Sequence, residues 1–363
     1  MITIADVLSP QDIHLGPLLV VAPALTASFG GPRLTAVVSG VAVLALVTIS
    51  VVRNSVFNAN HETQIAGLVI ISVFIVVFSW LRERQMAELR QVRSVAEAAQ
   101  QVVLQPLPER MGPLRVAVAY QAAADHARIG GDLYAAVRTR NGTRLLIGDV
   151  RGKGLMAVDD AGLLLSAFRS AAHRELTLAA LQDDLEATVC WSLEQPARVG
   201  ADADESFITT VLVDIPDGEP VVHVVNSGHP PPLRLHAGRV TLLSPHHYSP
   251  PMGLCLPHEG EMGPDTFRFE PGDMLLLHTD GATEARDAAG GFYPFTARVA
   301  AFADGAAPDR LVARLREDLL AHTGGALGDD AALVAVEREP AAGPGAAPGR
   351  TRSVQQGATG CGS

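Results

Sequence analysis

Apolar residues concentrate at the start of the chain, before residue 82. Three windows there contain no Asp, Glu, Lys or Arg, and each is about the 20 residues that a helix needs to cross a bilayer core. They predict membrane spans at about 13–31, 34–52 and 63–81. Pro17 and Pro23 weaken the first span, although membrane helices tolerate proline better than soluble helices do.

The basic residues predict how these spans are oriented. Four arginines lie between residues 82 and 93, directly after the third span, and Arg33 lies between the first two. Because basic residues favour the cytoplasmic side, the amino terminus is predicted outside and everything after residue 81 in the cytoplasm. A cleaved signal peptide is disfavoured, since the start is not basic and two further spans follow. The sequence thus predicts a multi-pass protein of the cell membrane with its membrane region at 1–81.

Residues 82–105 are predicted to form a cytoplasmic helical linker, because RERQMAELRQVRSVAEAAQQ is rich in helix formers. One face of this helix carries an apolar stripe. The stripe fits two arrangements, a homodimer through the linker or a helix that lies on its own domain. Prolines from Pro106 onwards end the helix. The apolar residues that form this stripe, at three- and four-residue steps, are Met86, Leu89, Val92, Val95 and Ala96.

Between residues 106 and 338, short β-branched runs alternate with a few helical segments. Neighbouring strands are joined by turn residues, as in RTRNGTRLL and DIPDGEPVV, which favours antiparallel pairing. This region is predicted to be one α+β domain with helices packed on sheets. The segment 339–363 is rich in Gly, Ala and Pro without an apolar period, and it is predicted to be a disordered tail.

Net charge and cysteine content disfavour some partners and some kinds of site. A formal net charge of −11 disfavours nucleic acid, because phosphate-backbone binding needs clustered Lys and Arg. Cys190, Cys255 and Cys361 are odd in number and far apart, so reduced thiols are predicted rather than a disulfide or a zinc site. The loosely spaced histidines between 246 and 258 are interpreted as surface residues.

Two aspartates are predicted to meet at the open end of a hairpin. The Asn-Gly pair at 141–142 is typical of a two-residue type I′ turn, which sets Tyr134 opposite Asp149. Asp132 then lies one diagonal step away on the same face, because side chains along a strand alternate with period two. The two carboxylates are expected about 5 to 8 Å apart.

Asp280 in HTDGATEA and Asp329 in GDDAALVAVE stand at the ends of other predicted strands. An aspartate beside a glycine is commonly a turn former, but four such residues, two of them already together, favour a shared site. Oxygen ligands without an organised His or Cys predict Mg²⁺ or Mn²⁺ rather than Zn²⁺.

The glycine-rich stretch GDVRGKG has an alternative interpretation as a nucleotide-binding phosphate loop. That motif needs four residues between its glycines, then Lys and a hydroxyl residue. Here three residues separate Gly148 from Gly152, and Gly154 replaces the hydroxyl. The predicted sheets are also antiparallel, so this interpretation is rejected and Lys153 is predicted to be a solvated charge.

In this order, IGGDLY, GDVRGKG, NSGHPPP, HTDGATEARD and GDDAALVAVE resemble the motifs of metal-dependent type 2C (PPM) protein serine/threonine phosphatases, in their bacterial SpoIIE/RsbU-like branch. The resemblance covers about residues 103–337. The membrane-anchored layout resembles that of integral-membrane members common in actinobacteria. The resemblance to this phosphatase family implies an α-β-β-α sandwich, with two antiparallel sheets flanked by helices and a two-metal centre at one edge.

By this resemblance, Asp149 would bridge both ions and the main-chain carbonyl of Val150 would bind one. Asp132 would serve one ion, and Asp280 and Asp329 the other. A water or hydroxide between the ions would attack the phosphoryl group in line. The implied reaction is hydrolysis of phosphoserine and phosphothreonine, and the implied substrate is a phosphorylated anti-sigma-factor antagonist.

Some positions have two interpretations. Arg151 replaces a histidine of animal-type members; it either holds the substrate phosphate with two parallel hydrogen bonds or is a solvated loop charge. Asn226 and His229 either support the site or shape a proline-locked turn, and the turn is favoured. The alternative for the whole domain is a phosphatase fold without catalysis that acts as a docking module at the membrane, which retention of the candidate ligands argues against.

Overall fold

The computed structural model divides the chain into two compact units, Met1–Val95 and Ala96–Ser363. Lys153, His258, Cys361 and all but the first two residues of the predicted tail lie outside the described residues. The structure describes residues 16–52, 59–123, 131–152, 154–174, 176–195, 206–256 and 263–340.

The described part of the first unit is helical. Two helical segments, Pro32–Val52 and Glu62–Glu88, have the length and composition to cross a membrane. Many of their large apolar side chains are exposed; Phe74, for example, is 71% exposed. After a 3-10 helix at Gly16–Val20, the α-helices are α1 (Val21–Phe29), α2 (Pro32–Val52) and α3 (Ala59–Val103).

The prediction of three spans is wrong, because the described part of the first window holds only a short helix. The apolar helical segment Leu18–Phe29 is about 18 Å long at 1.5 Å per residue, against a bilayer core of about 30 Å. It ends where Gly30 takes extended backbone (φ −105°, ψ 157°) and Pro32 starts α2. The lack of charge defines the window correctly but does not reveal this break.

The helix α3 runs without interruption into the predicted linker 82–105 and ends at Val103. At its carboxyl end, within the second unit, the Val103 carbonyl accepts a hydrogen bond of 3.0 Å from the Arg169 guanidinium. This bond satisfies one of the carbonyls that a helix end leaves free. Met86 is exposed, and the other side chains of the predicted stripe lie outside the described part of the chain, so pairing with a second copy stays a prediction.

The second unit alternates strands with helices. Its helices are α4 (Leu155–Ala171), α5 (Leu178–Leu193), α6 (Asp280–Thr283), α7 (Phe295–Phe302) and α8 (Pro308–His322). Its strands are β1 (Arg110–Met111), β2 (Leu114–Gln121), β3 (Asp132–Arg138), β4 (Gly142–Val150), β5 (Ile208–Pro216), β6 (Val221–Ser227), β7 (Leu233–His236), β8 (Arg239–Leu242), β9 (Asp265–Arg268), β10 (Met274–His278) and β11 (Ala331–Arg338).

These strands form two antiparallel sheets, as predicted. The first sheet has the order β1-β2-β11-β10-β7-β8, and the second has the order β3-β4-β5-β6-β9. Helices α4 and α5 pack on the second sheet, and α8 packs on β2 and β11 of the first. The α-β-β-α sandwich is therefore confirmed. Because both faces of each sheet are covered, central strands such as β4 are buried almost throughout rather than alternating.

The β3–β4 hairpin pairs Asp132 directly with Asp149, so the predicted diagonal register is wrong. The turn lies one residue earlier: the Thr139 N–H donates to the Gly142 carbonyl (2.9 Å), and the Gly142 N–H donates to Thr139 Oγ1 (3.1 Å). Gly142 belongs to β4, where a Cβ would lie 2.5 Å from the carbonyl oxygen of Ile215. This glycine serves close strand packing and has no positive φ.

Cys190 on α5 and Cys255 form a disulfide, with Cα atoms 5.7 Å apart. The prediction of reduced, unpaired thiols is therefore wrong. The bond links α5 to a segment that is itself paired with the start of β5, since Ile208 and Met252 exchange two main-chain hydrogen bonds of 2.8 Å. Only the fold brings the two cysteines together across 65 residues of sequence.

Loss of the Cys190–Cys255 disulfide is expected to destabilise the second unit. A cross-link that spans 65 residues contributes about 4 kcal/mol when loop-closure entropy alone is counted, and commonly somewhat less. Thermal unfolding of the purified chain, followed by circular dichroism, should show a lower midpoint for Cys190→Ser than for the parent under oxidising conditions. Cys361→Ser is the matched control and should leave the midpoint unchanged. Equal midpoints for the parent and Cys190→Ser would contradict this expectation.

Candidate metal centre

Three aspartates from the two sheets meet at one edge of the second unit. Asp132 begins β3, Asp149 lies next to the end of β4, and Asp280 begins α6 directly after β10. One carboxylate oxygen from each lies within 4.8 Å of the others. The structure thus brings together three of the four aspartates that the sequence singles out.

Two glycines allow this close approach. A Cβ on Gly131 would lie 2.3 Å from the carbonyl oxygen of Val150, and a Cβ on Gly281 would lie 1.8 Å from that of Asp330. Atoms cannot approach so closely, so β3 can start beside the end of β4, and α6 beside β11, only where these side chains are absent. Each glycine adjoins an aspartate of the group, so backbone packing sets where the carboxylates lie.

Thr279 links the two sheets through a buried hydrogen bond. Its hydroxyl donates to Asp132 Oδ2 at 2.7 Å, and its Oγ1 accepts the Ala332 N–H at 2.9 Å. Thr279 is fully buried, so both bonds are shielded from water. Sequence reasoning missed this residue, although it stands directly before Asp280 in HTDGATEA, where a hydroxyl next to a predicted ligand was the available signal.

The electrostatics of the group favour a cation. Burial raises the pKa of Asp132 well above its usual value; Asp149, Asp330 and Asp280 raise it further, against the hydrogen bond from Thr279. Burial also raises the pKa of Asp280, with added repulsion from Glu284 and Asp329. These carboxylates are costly to ionise beside one another unless positive charge is supplied.

The fourth predicted ligand, Asp329, is not among the three carboxylates that lie within 4.8 Å of one another. It is exposed and close enough to Asp280 to raise the pKa of that carboxyl. Its neighbour Asp330 is buried instead, where it accepts a hydrogen bond from the Ala123 N–H (2.8 Å) and contacts the Tyr120 hydroxyl. The Asp-Asp pair therefore divides into one residue that faces outward and one that joins β2 to the start of β11.

The exit from β4 has the backbone that its glycines allow. Gly152 (φ 112°) and Gly154 (φ 97°) both have positive φ, a region that other residues rarely adopt. The side chain of Arg151 is exposed, and its guanidinium carbon lies 5.1 Å from the ring centroid of Phe207. Val150 is buried, and its N–H donates to the Gly131 carbonyl at 3.1 Å.

The NSGHPPP segment forms a closed turn. The Asn226 side chain donates to the His229 carbonyl and accepts the His229 N–H, each at 2.9 Å. Burial, together with the neighbouring His278, lowers the pKa of His229 to about 3, so the ring is neutral at physiological pH. The predicted turn is confirmed, while the imidazole itself points to partners outside the turn.

The residues present fit hard divalent cations. All three grouped ligands are carboxylates, and Mg²⁺ and Mn²⁺ prefer oxygen ligands of this kind. The buried, mutually repelling charges of Asp132, Asp149 and Asp280 also give a cation something to neutralise. The arrangement can therefore hold divalent cations at the edge of the second unit.

Comparisons with known proteins identify the family and the fold of the second unit. The profile of the family described as Stage II sporulation protein E (SpoIIE) matches residues 139–339, which is more than half of the chain. A solved structure of the RsbU and RsbW domains of a Mycobacterium tuberculosis protein is 24% identical with a TM-score of 0.52; the match covers 62% of this chain and 60% of that one. The SiaA PP2C domain of Pseudomonas aeruginosa is 18% identical with a TM-score of 0.54, over 69% of this chain and 98% of that one.

A third structure contains the PP2C phosphatase domain and part of the regulatory domain of SpoIIE from Bacillus subtilis. It is 16% identical with a TM-score of 0.48, over 62% of this chain and 64% of that one. This chain thus spans less than two thirds of the M. tuberculosis and B. subtilis chains. At these identities, the M. tuberculosis and P. aeruginosa structures establish the fold, which is that of a PP2C domain.

Asp132→Asn is expected to stabilise the metal-free chain while removing metal binding. The raised pKa means that the ionised carboxylate is less stable in the folded than in the unfolded chain at neutral pH. The amide avoids this cost and can still accept the Thr279 hydrogen bond, so the free energy of unfolding should rise. The gain should shrink as pH falls through the raised pKa of Asp132, because both variants are then neutral at this position.

Thermal unfolding in a chelator and then with Mn²⁺ measures both effects. In the chelator, Asp132→Asn should unfold at a higher temperature than the parent. With Mn²⁺, only the parent should gain stability. Asp304→Asn, an exposed position after α7, should match the parent in both conditions. A lower midpoint for Asp132→Asn in the chelator would contradict the electrostatic argument.

Proposed function

The chain belongs to the SpoIIE family, and from that premise we propose that its PP2C-type domain is an active protein serine/threonine phosphatase. The observation that carries the proposal is the meeting of Asp132, Asp149 and Asp280 within 4.8 Å of one another at the edge of the sandwich. A turn-forming role explains a single aspartate at a strand end. It does not explain three that converge from two sheets, one of them buried.

We propose that two Mn²⁺ or Mg²⁺ ions occupy this centre. Asp132, Asp149, Asp280 and the Val150 carbonyl would hold them, with Asp329 as a further ligand for the ion beside Asp280. When bound, the ions would supply positive charge to the phosphoryl oxygens and an activated water for in-line attack. Asp329 is exposed next to Asp280, so it lies on the solvent side of the group.

Two further residues would assist: Thr279 would orient a metal ligand, and Arg151 would bind the substrate phosphate. Thr279 keeps one oxygen of Asp132 engaged, which leaves the other oxygen for a cation. Arg151 is exposed directly after Val150, where its planar guanidinium can hold a phosphate with two parallel hydrogen bonds. Arginine stays charged at neutral pH, so its role would be to bind the phosphate rather than to transfer a proton.

The proposed substrate is a small phosphorylated anti-sigma-factor antagonist, whose dephosphorylation would release a sigma factor. The family resemblance of the motifs supports this substrate, and one solved relative carries RsbU and RsbW domains in a single chain. A protein partner also agrees with the net charge of −11, which disfavours nucleic acid.

We further propose that the phosphatase is anchored in the cell membrane with its catalytic domain in the cytoplasm. The two apolar helices Pro32–Val52 and Glu62–Glu88 support the anchor, and the four arginines between residues 82 and 93 support the orientation. The helix α3 would transmit a signal towards the domain. It would do so either by pairing with a second copy in a homodimer through the linker or by packing on the domain.

The second candidate is a docking module that keeps the fold but not the reaction. It would need no cluster of ionisable groups, and the buried Asp132 would then be a cost without a benefit. The retained carboxylates therefore favour the enzyme.

Asp149→Asn is expected to abolish phosphatase activity. The full chain, purified in mild detergent, should hydrolyse an aryl phosphate and a phosphoserine peptide only when Mn²⁺ or Mg²⁺ is present. Loss of a ligand from the centre should lower kcat/KM by about 100-fold or more. Asp304→Asn is the matched control and should keep the parental rate. Absence of turnover in the parent would favour the docking module, and an undiminished rate in Asp149→Asn would show that this centre does not carry the activity.

Arg151→Ala is expected to weaken substrate binding more than catalysis. Loss of two charge-assisted hydrogen bonds should raise KM about tenfold with a smaller effect on kcat. Arg286→Ala is a matched control, because Arg286 is also exposed and lies over an aromatic ring, 4.0 Å from the Phe292 centroid. An unchanged KM in Arg151→Ala would identify Arg151 as a solvated loop charge.

A further inference from the structure

The imidazole of His229 bridges the two sheets behind the metal centre. Its Nε2 lies 3.1 Å from the carbonyl oxygen of His278, the last residue of β10 in the first sheet. Its Nδ1 lies 3.0 Å from the hydroxyl oxygen of Thr209 on β5 in the second sheet. His229 is buried, with only 3% of the residue exposed, and these two contacts satisfy both ring nitrogens.

The partners determine which nitrogen carries the proton. A carbonyl oxygen can only accept, so Nε2 of His229 must donate to His278. In the neutral ring, Nδ1 is then the acceptor, and the Thr209 hydroxyl donates to it. The bridge therefore runs in one direction, from the hydroxyl on one sheet through the ring to a carbonyl on the other.

Both ends of this bridge adjoin the carboxylate group. Thr209 lies directly opposite Asp149 in the register of β4 and β5, and its Oγ1 is 3.5 Å from the Asp149 carbonyl oxygen. Residues directly opposite in a sheet present their side chains to the same face, so Thr209 lies beside the Asp149 carboxylate. At the other end, His278 is followed by Thr279, which bonds to Asp132, and then by Asp280.

We propose that His229 is a positioning residue for the metal centre: through its two hydrogen bonds, the ring sets the separation between the sheet that carries Asp132 and Asp149 and the sheet that leads into Asp280. The inference rests on the proposed function, since it names the group that holds that same site. It also gives the imidazole of NSGHPPP a role beyond the turn, which Asn226 closes through the His229 main chain alone.

Mn²⁺ binding to the full chain in detergent tests this role without relying on turnover. His229→Leu removes both hydrogen bonds at similar volume, so the dissociation constant for Mn²⁺, measured by isothermal titration calorimetry, should rise about 10- to 100-fold, as for other groups that orient metal ligands. His229→Gln retains a donor and an acceptor and should bind within about threefold of the parent. Because the defect is one of spacing, kcat of His229→Leu should recover largely at saturating Mn²⁺.

The matched control is His223→Leu. His223 lies on β6, and its ring also contacts a hydroxyl, Thr266 Oγ1 at 2.9 Å. It is paired with β9, the strand at the far edge of the second sheet. It should leave Mn²⁺ affinity unchanged. If His229→Leu does not fold, as judged by circular dichroism, Thr209→Val replaces it, since this variant removes only the hydroxyl end of the bridge.

The outcomes separate the two proposals. Parental Mn²⁺ affinity in folded His229→Leu or Thr209→Val overturns the positioning role, whatever the parent's activity. In another outcome, the parent binds Mn²⁺ through Asp149 and loses affinity on His229→Leu, yet hydrolyses no phosphoester. That result supports the positioning role and overturns the proposed enzyme. A parent that binds no Mn²⁺ overturns both.

Discussion

The structure of the second unit depends on holding like charges together at the meeting point of two sheets. Asp132, Asp149 and Asp280 repel one another, and nothing in local strand or helix formation favours their approach. The large apolar core between the sheets supplies the driving force. A few directional contacts at the edge, chiefly the buried Thr279–Asp132 hydrogen bond, convert that non-directional attraction into a defined spacing.

The roles at this edge are divided among residue types according to what each can do. Glycines at 131 and 281 let the backbones approach, hydroxyl and imidazole groups set the distance between the sheets, and the aspartates carry the charge. The solved relatives have the same fold although they share only 18–24% identity with this chain. The groups that fix the geometry are few, and most of the remaining core needs only to be apolar and well packed.

Much of this could be predicted from the sequence, and the failures have identifiable causes. Short β-branched runs and turn residues predicted the antiparallel α+β class, and the positions of the aspartates predicted three members of the site. The Asn-Gly signal misplaced the hairpin turn, because a glycine needed for close packing, Gly142, looks the same in sequence as one needed for positive φ. The Cys190–Cys255 bond and the Thr279 and His229 contacts join residues far apart in the chain, and no local pattern reports such pairings.

Gly281 has a consequence for reading related genomes. Because a Cβ there would lie 1.8 Å from the Asp330 carbonyl oxygen, the glycine is demanded by the fold whether or not the domain retains chemistry. The preceding Asp280 is under no such steric demand, since its side chain is only partly buried. A homologue that keeps the glycine but has lost the aspartate would therefore mark a descendant that still folds after its enzymatic role has been given up. The Asp-Gly pair at 280–281 can thus distinguish homologues that fold without catalysis from homologues that no longer fold.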